Sequence, residues 1–306
     1  MSGIIHSLDS HIINQIAAGE VIEGPFSVVK ELVENAIDAM ATEIIIEIKQ
    51  GGKQLITVSD NGTGISGDEI ETAFQAHTTS KLRTLDDLQH IQTLGFRGEA
   101  LASIVAVARV EIYTRRRGMM HGYRAIFGHG SLLSLEETGC PEGTTITVRD
   151  LFYQTPARLK YMKSDGAETS RISELLTRMA LSRPDVAFQY INNNSIMLTT
   201  RRTEDPLQTA LEIFPPDIAR GLITCPAIQY EKNNYQLLVR GLIGQPLVTK
   251  GNRSLQIFFV NGRSVRSNLL SYALEKAYEG TVMINRFPVG VLYLSISPEI
   301  VDVNVH

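Results

Sequence analysis

The sequence predicts an α+β protein of two domains. Its first clear element is a helix that opens at Gly24-Pro25, because proline suits a first helical turn and an apolar stripe with helical spacing follows it to about residue 40. Two strand patterns come next, at Glu43–Lys49 and 54–59, joined by a turn that contains two glycines. Strand and helix patterns then recur in both halves of the chain, and 306 residues are enough for two compact domains.

The other elements follow from the same periodicities and from the turn residues at their ends. In the first half they are, in order, helices at 9–18 and 66–75, a long segment without pattern at 76–98, a helix at 98–105, strands at 110–114, 123–127, 132–135 and 144–149, a helix at 165–182, and a hairpin that turns at 192–194. In the second half they are a helix at 207–213, strands at 235–243, 255–260 and 289–297, and a helix at 267–278, with Asn261-Gly262-Arg263 leading from a strand into that helix. The polar, proline-ended stretch 201–206 predicts a linker, so we expect domains at 1–205 and 206–306.

The composition is that of a soluble globular protein, with 43% hydrophobic and 20% charged residues. A net charge of -4 does not by itself indicate a nucleic-acid partner. Cys140 and Cys225 lie far apart and form no CxxC pair, so neither a zinc site nor a disulfide framework is indicated. The chain shows no secretory signal and no apolar run of membrane-spanning length, and we therefore expect an intracellular protein.

The long helix carries the first chemical signal. Glu31, Asn35 and Asp38 are spaced at i, i+4 and i+7, so their side chains project from one side. A carboxamide oxygen suits Mg²⁺, and a carboxylate one turn away can orient and deprotonate water. Glu34 points in another direction and is expected to serve elsewhere. On its own, this pattern is more typical of a solvated acidic helix face.

Three further segments add to this signal. The turn Asp60–Gly64 places an aspartate at a strand end, where it can accept from an exocyclic amine, with glycines that let backbone approach a flat ring. The run 95–100 joins the long segment to a helix, and two glycines with free helix-terminal amides suit phosphate oxygens. The hydroxyls of Thr144 and Thr145 can complete a base pocket. Each segment is weak alone, and Asp-Asn-Gly is also an ordinary turn.

Taken together and in this order, the segments 30–39, 60–64, 95–100 and 143–144 resemble the four motifs of the GHKL ATPase superfamily. Within it, the sequence is similar to the MutL family of mismatch-repair proteins. The segments that carry this closer resemblance are NQIAAGEV at 14–21, TTSK at 78–81, GFRGEAL at 95–101, DLFY at 150–153, TPAR at 155–158 and VDVNVH at 301–306. The resemblance implies a GHKL (Bergerat) α/β sandwich followed by a smaller α/β domain of ribosomal-S5-like type.

The resemblance also implies roles for individual residues and the cofactors ATP and Mg²⁺. Glu31 is similar to the general base, Asn35 to the Mg²⁺ ligand, and Asp60 with Thr144 to the groups that bind adenine. The nucleotide-binding positions that match the family are Asn35, Asp38, Asp60, Gly64, Thr79, Ser80, Lys81, Leu94, Gly95, Phe96, Arg97, Gly98, Glu99 and Thr144. Those between 76 and 98 belong to a lid over the nucleotide. Few cations surround the phosphates, so slow turnover is expected.

The family's wider properties are carried over as expectations. They are non-specific binding to the DNA backbone through Arg263 and Arg266, homodimer formation on ATP binding, and work with a MutS-like mismatch-recognition protein and with helicase or nuclease factors in the bacterial cytoplasm at the nucleoid. Arg263 has an alternative role in capping a strand–helix turn, and Arg115-Arg116-Arg117 is expected to be a solvated hairpin end. A pure adaptor with an occupied but barely hydrolytic site, and a kinase or topoisomerase subunit, are the competing interpretations.

Two departures from the family pattern stand out. Met40 occupies the position after Asp-Ala where glycine is usual, so a reshaped helix end is expected. The family's run continues beyond the residues that match Asn304-Val305-His306 into Pro-X-Lys, whose lysine reaches the nucleotide, and then into a dimerising region that holds an endonuclease in many members. We therefore expect this chain to be an N-terminal part, and its full hydrolytic activity to depend on that lysine.

Overall fold

The computed structural model describes residues 21–76, 78, 98–232 and 235–297. The helix predicted at 9–18 and nearly all of the segment 76–98 lie outside these residues. Two compact units are present. The first takes the chain up to Leu175 together with Phe188–Leu198, and the second takes Leu176–Ala187 and the chain from Thr199 onward. The domain boundary near residue 205 stays a prediction.

The first unit is built on an eight-stranded sheet in the order β5-β4-β3-β6-β2-β1-β7-β8. Its strands are β1 (Glu43–Lys49), β2 (Leu55–Asp60), β3 (Arg109–Arg115), β4 (Gly122–Gly128), β5 (Ser131–Thr138), β6 (Gly143–Arg149), β7 (Ala187–Asn192) and β8 (Ser195–Thr200). Its helices are α1 (Pro25–Asp38), α2 (Gly67–Ala73), α3 (Ala100–Val107), α4 (Pro156–Tyr161) and α5 (Asp165–Ser182), the last of which continues into the second unit.

Period-two alternation decides which face of this sheet is covered. In β1, Ile44, Ile46 and Ile48 are fully buried, whereas Ile45 between them is partly exposed. Helix α1 packs on β1 and β2 and buries the apolar stripe that includes Val29. The unit is therefore a two-layer sandwich whose helix layer lies on the isoleucine face.

Several predicted elements differ from the structure. The helix predicted from residue 98 begins at Ala100, because Gly98 has φ 63° and cannot belong to an α-helix. Strand β2 extends one residue further than predicted, because Asp60 is paired on both sides, with Ile44 and with Thr144. The short helix α4 was not predicted at all.

The second unit carries a five-stranded sheet in the order β13-β12-β15-β10-β9 and a two-stranded sheet of β11 and β14. Its strands are β9 (Leu222–Lys232), β10 (Tyr235–Gly244), β11 (Thr249–Lys250), β12 (Gln256–Val260), β13 (Arg263–Val265), β14 (Phe287–Pro288) and β15 (Gly290–Ile296), and its helices are α6 (Pro206–Ile213), α7 (Pro216–Ala219) and α8 (Asn268–Ala277). Strands β12 and β15 are parallel, so α8 lies on the crossover between them. The Tyr293 ring stacks on Phe259 in the core, and its hydroxyl donates to the Leu181 carbonyl at 2.7 Å.

Two features of this unit overturn the sequence interpretation. Strand β9 was not predicted; it contains Pro226, which a strand tolerates only at an edge, and β9 is an edge strand with a register shift at this point. The stretch Asn261-Gly262-Arg263 does not lead into a helix. Asn261 and Gly262 have φ 48° and 79° and form a tight hairpin turn between β12 and β13. Arg263 therefore begins a strand and does not cap a strand–helix turn.

Within the described residues, no helix combines the length and apolar character that crossing a membrane requires.

The end of α1 keeps its regular geometry although Met40 stands there. The Met40 N–H donates to the Ile37 carbonyl at 3.0 Å, and the Ala41 N–H donates to the Ala36 carbonyl at 3.1 Å. These two bonds form a Schellman motif, in which the position of Met40 adopts left-handed backbone and is usually glycine. Met40 has φ 59° and its side chain is 72% exposed, so it is strained without packing in return. The expectation of a reshaped helix end is wrong.

Met40→Gly should raise the free energy of unfolding by about 0.5–1 kcal/mol, since glycine removes the left-handed strain but adds freedom to the unfolded chain. Urea denaturation of the purified chain measures this. Met40→Ala is the matched control, because it shortens the side chain and keeps the strain. A glycine variant no more stable than the alanine variant would contradict the explanation.

Candidate functional site

Helix α1 presents the three predicted side chains at its partly exposed positions. Glu31, Asn35 and Asp38 are all half-buried, whereas Leu32 and Ala36 beside them are buried against the sheet. The apolar stripe of the helix therefore fixes which side faces outward, and the carboxylate of Glu31 and the carboxamide of Asn35 share that side one turn apart.

Lys30 joins two carboxylates on this helix. Its Nζ lies 3.2 Å from Glu31 Oε1 and 3.3 Å from Glu34 Oε2. Burial raises the pKa of Glu34 to about 7, against the opposing effect of Lys30. Burial alone would lower the pKa of Lys30, but Glu34 and Glu31 together raise it. Glu34 was expected to serve elsewhere; it contacts the ammonium group that also contacts Glu31.

Asp60 stands at the end of β2 as a half-buried hydrogen-bond acceptor. Its Oδ1 accepts from the Gly62 N–H at 2.8 Å, and the backbone N–H of Thr144 also donates to its carboxylate. Burial outweighs these two donors and raises the pKa of Asp60 to about 6. The group is thus chiefly ionised at neutral pH and can accept from an amine.

The turn after β2 is attached to the end of α1. The Thr63 N–H donates to the Ala39 carbonyl at 2.9 Å, and Ala39 follows directly on the last residue of the helix. Helix α3 packs beside α1 as well. The structure therefore brings Asp60 and Thr144 to one end of the helix that carries Glu31 and Asn35.

Two glycines of this region allow close contacts between backbone segments; whether they also admit a base ring stays a prediction. Gly64 has φ 71°, and a Cβ there would lie 2.2 Å from the carbonyl oxygen of Arg115. Gly143 has φ 105°, and a Cβ there would lie 2.0 Å from the carbonyl oxygen of Asp60. Both positions require glycine because backbone packs on backbone within the protein.

Arg117, in the turn between β3 and β4, contacts the same region. The Arg117 N–H donates to the Thr63 carbonyl at 3.1 Å, and its guanidinium donates to the Asn61 carbonyl at 3.3 Å. Arg116 is a distant ion-pair partner of Glu69 at 4.0 Å. The cluster lies at a hairpin end, as predicted, but its backbone also holds the turn that follows Asp60.

Thr114 is a candidate site residue that the sequence patterns do not predict. Its hydroxyl is fully buried and contacts three groups: the Ile65 N–H at 2.9 Å, the Gly143 carbonyl at 3.2 Å and the Thr144 hydroxyl at 3.1 Å. A threonine at an inward position of β3, two residues after the buried Ile112, is the signal that could have found it.

The predicted phosphate site is described only at its last residues. Gly98 lies in the left-handed region and Glu99 precedes the first turn of α3. The predicted lid residues that lie outside the described part of the chain are Thr79, Ser80, Lys81, Leu94, Gly95, Phe96 and Arg97. Arg263 and Arg266, predicted to contact DNA, lie in the second unit, at the start of β13 and just after it.

A cavity of about 310 Å³ adjoins Asp60 and Thr144 but lies on the other face of the sheet. Its strand positions include Ile45, Ser59 and Thr145, each one residue away from a position that faces the helices. Side chains alternate along a strand, so this cavity is separate from the place where the site residues meet.

Two family models match this chain and define its class. Residues 22–128 match the family model described as histidine kinase-, DNA gyrase B- and HSP90-like ATPase, and residues 213–306 match the model described as DNA mismatch repair protein, C-terminal domain. The first unit is thus a GHKL-type ATPase domain with an α+β sandwich, and the second is the smaller S5-like domain that accompanies it in this class.

The curated relatives narrow this class to one family. The chain is 46% identical over 299 residues to the DNA mismatch repair protein MutL of Agathobacter rectalis, covering 98% of this chain and 45% of that protein. It belongs to the MutL family of DNA mismatch repair proteins. The chain spans about half the length of the curated relatives it matches.

Two solved structures agree with this assignment. The crystal structure of the N-terminal domain of a DNA repair protein has a TM-score of 0.80 at 27% identity, covering 96% of this chain and 90% of that chain. The Aquifex aeolicus MutL ATPase domain complexed with ADP has a TM-score of 0.66 at 28% identity, covering 91% and 94%.

Asp60→Asn should raise the free energy of unfolding at pH 7.5 by about 1–3 kcal/mol, because the amide keeps the bond from Gly62 without the desolvated charge. Protonation of Asp60 favours the folded state, so its stabilising contribution is complete below about pH 4 and is lost as pH rises through about 6. Urea denaturation at pH 5 and 7.5 tests this.

The variant should therefore gain more over the wild type at pH 7.5 than at pH 5. Glu137→Gln, the same exchange at an exposed position of β5, should show no such difference. An equal gain at both pH values would mean that the ionised Asp60 is not destabilising.

Proposed function

We propose that this chain binds ATP with Mg²⁺ and hydrolyses it slowly to ADP and phosphate. The observation that carries the proposal is the hydrogen bond from Thr63 to Ala39, which holds the turn of Asp60 against the helix of Glu31 and Asn35. This bond connects the Asp60 carboxylate, which would recognise the base, to the helix of the Glu31 carboxylate, which would orient the water. The ADP complex of the related MutL ATPase domain supports the same conclusion.

Each side chain then has a defined task. Asp60 accepts from the adenine amine with Thr144 beside it, while Asp38 and Gly64 complete the wall of the site. The N-terminus of α3, with Gly98 and Glu99, receives phosphate oxygens through backbone amides. Glu31 orients the attacking water and takes its proton, and Lys30 holds the Glu31 carboxylate in place.

The residues fit a magnesium ion held mainly by the nucleotide. Among the described residues, no group of three or more His, Cys, Asp or Glu side chains is arranged to bind a metal by itself. Asn35 would supply one carboxamide oxygen, with phosphates and waters as the other ligands, which is how Mg²⁺ is commonly bound. The bound ion would neutralise charge on the phosphates.

Nucleotide binding is proposed to act as a switch. The lid at about 76–98, with Thr79, Ser80, Lys81 and the residues Leu94 to Arg97, would order over the phosphates and favour dimerisation of two such chains. Slow turnover would keep the ordered state long enough to be recognised by other proteins. A lysine from the Pro-X-Lys run of the family would complete the phosphate site.

Glu31→Ala should reduce phosphate release at least 100-fold while nucleotide binding and nucleotide-dependent dimerisation persist, because the carboxylate acts on water and not on the nucleotide. Phosphate release, fluorescent-nucleotide titration and sedimentation with a non-hydrolysable ATP analogue measure the three properties. Glu71→Ala, at an exposed position of α2, is the control. Release unchanged by Glu31→Ala would rule out Glu31 as the general base.

DNA binding is proposed for the second unit. Arg263 is half-buried and Arg266 is exposed, and both lie at the short edge strand β13. Contacts to backbone phosphates give an affinity that does not depend on the DNA sequence and that falls steeply as the salt concentration rises. Arg266 is exposed, which gives a DNA backbone access to this residue.

Arg263→Ala and Arg266→Ala should each weaken binding to a random duplex about 3–10-fold at low salt and reduce the salt slope by about 1. Fluorescence anisotropy over a salt series measures both effects. Arg220→Ala removes an exposed arginine elsewhere in the second unit and should change neither. Equal effects of all three substitutions would indicate general electrostatics and not a contact site.

The whole protein is proposed to act in DNA mismatch repair in the bacterial cytoplasm, near the nucleoid. Its relatives carry that function in their names. The proposed partners are a MutS-like mismatch-recognition protein and helicase or nuclease repair factors, which would recognise the nucleotide-ordered dimer.

A further inference from the structure

Thr114 has a buried hydroxyl that the proposed mechanism does not use. It lies on β3 at an inward position and is fully buried. A buried hydroxyl without hydrogen bonds is costly, so its bonding pattern must be satisfied within the protein. One arrangement of protons makes each of its three contacts a hydrogen bond, and this arrangement has a consequence for the nucleotide base.

The hydroxyl of Thr114 has one proton to donate and two lone pairs to accept. The Ile65 N–H at 2.9 Å can only donate to it, and the Gly143 carbonyl at 3.2 Å can only accept from it. The proton is thus directed to Gly143 and one lone pair to Ile65. The remaining lone pair faces the Thr144 hydroxyl at 3.1 Å, which must then be the donor of that contact.

The direction of this bond determines what Thr144 can offer to a ligand. Its proton is committed to Thr114, so its hydroxyl presents lone pairs alone. Thr144 is directly opposite Asp60 in the ladder between β2 and β6, and the Asp60 carboxylate also accepts. The half-buried end of this strand pair therefore offers acceptors from two neighbouring groups.

We propose that Thr114 is a specificity-determining residue, which fixes the Thr144 hydroxyl as an acceptor and so favours a 6-amino purine over a 6-oxo purine. The inference rests on the proposed nucleotide site. An amino group donates to these acceptors, whereas an oxo group would place an acceptor against acceptors and leave buried polar groups unpaired. Thr114 acts through Thr144 and does not itself touch the base.

The test compares dissociation constants for ATP and inosine triphosphate, which differ in the group at position 6 and in the proton that inosine carries on N1, in the absence of hydrolysis. The wild type should prefer ATP, and Thr114→Val should reduce that preference about tenfold, because the Thr144 proton is released and can donate to the oxo group. Thr114→Ser keeps the hydroxyl and should keep the preference. A role in folding alone would weaken both nucleotides equally and leave their ratio unchanged, which would overturn the proposal.

Thr144→Val gives a second route, which leaves the buried Thr114 side chain in place and removes only its hydrogen bond to Thr144. It removes the hydroxyl at the base, so its ATP preference should fall as well, and adding Thr114→Val should lower the preference no further. A preference unaffected by Thr144→Val, or an additive effect in the double variant, would overturn the proposal even if Thr114→Val does not fold. A wild type that binds neither nucleotide would refute the proposed function, whereas one that binds ATP and inosine triphosphate equally would refute only this inference.

Discussion

The attachment of the turn after β2 to the end of α1 is the constraint on which the site depends. One hydrogen bond, from Thr63 to Ala39, joins elements that lie some twenty residues apart in sequence. The Arg117 amide holds the other side of the same turn, and Gly64 lets the Arg115 backbone approach. Because peptide groups and not long side chains make these contacts, the position of the Asp60 carboxylate relative to α1 has little freedom to vary.

Two desolvated carboxylates lower the stability of the folded state. Asp60 and Glu34 both lie where desolvation raises their pKa, to about 6 and about 7, and each retains partners that only partly compensate. A purely structural helix and strand end would carry apolar residues there. Groups with strongly shifted pKa values are typical of sites that act on a ligand. Lys30 opposes the rise in the pKa of Glu34, and its ammonium group contacts Glu31 as well.

Sequence patterns predicted the regular elements well where burial dominates. The long helix α5 has the predicted bounds, and β1 was predicted residue for residue, because one buried face imposes a clear period. Local chemistry was harder to predict. Asn261-Gly262 precedes a helix pattern and therefore suggests the approach to a helix, although Asn-Gly is typical of a two-residue hairpin. Pro226 interrupts the strand pattern of the edge strand β9, so this strand is not predicted. Resemblance to family motifs predicts Glu31 and Asp60. The role of Thr114 depends on contacts with three residues that are distant in sequence, so no local pattern predicts it.

The edges of the second sheet have a consequence for how this protein behaves in a crowded cell. An unpaired strand edge is a template on which another chain can add, and such additions lead to aggregates. One edge here, β13, is only three residues long. The other, β9, is long, but Pro226 removes an amide donor and the register shift beside it bends the strand. The shortness of β13 and the proline of β9 make both strands difficult to predict from the sequence. The same two features make each edge a poor template for polymerisation.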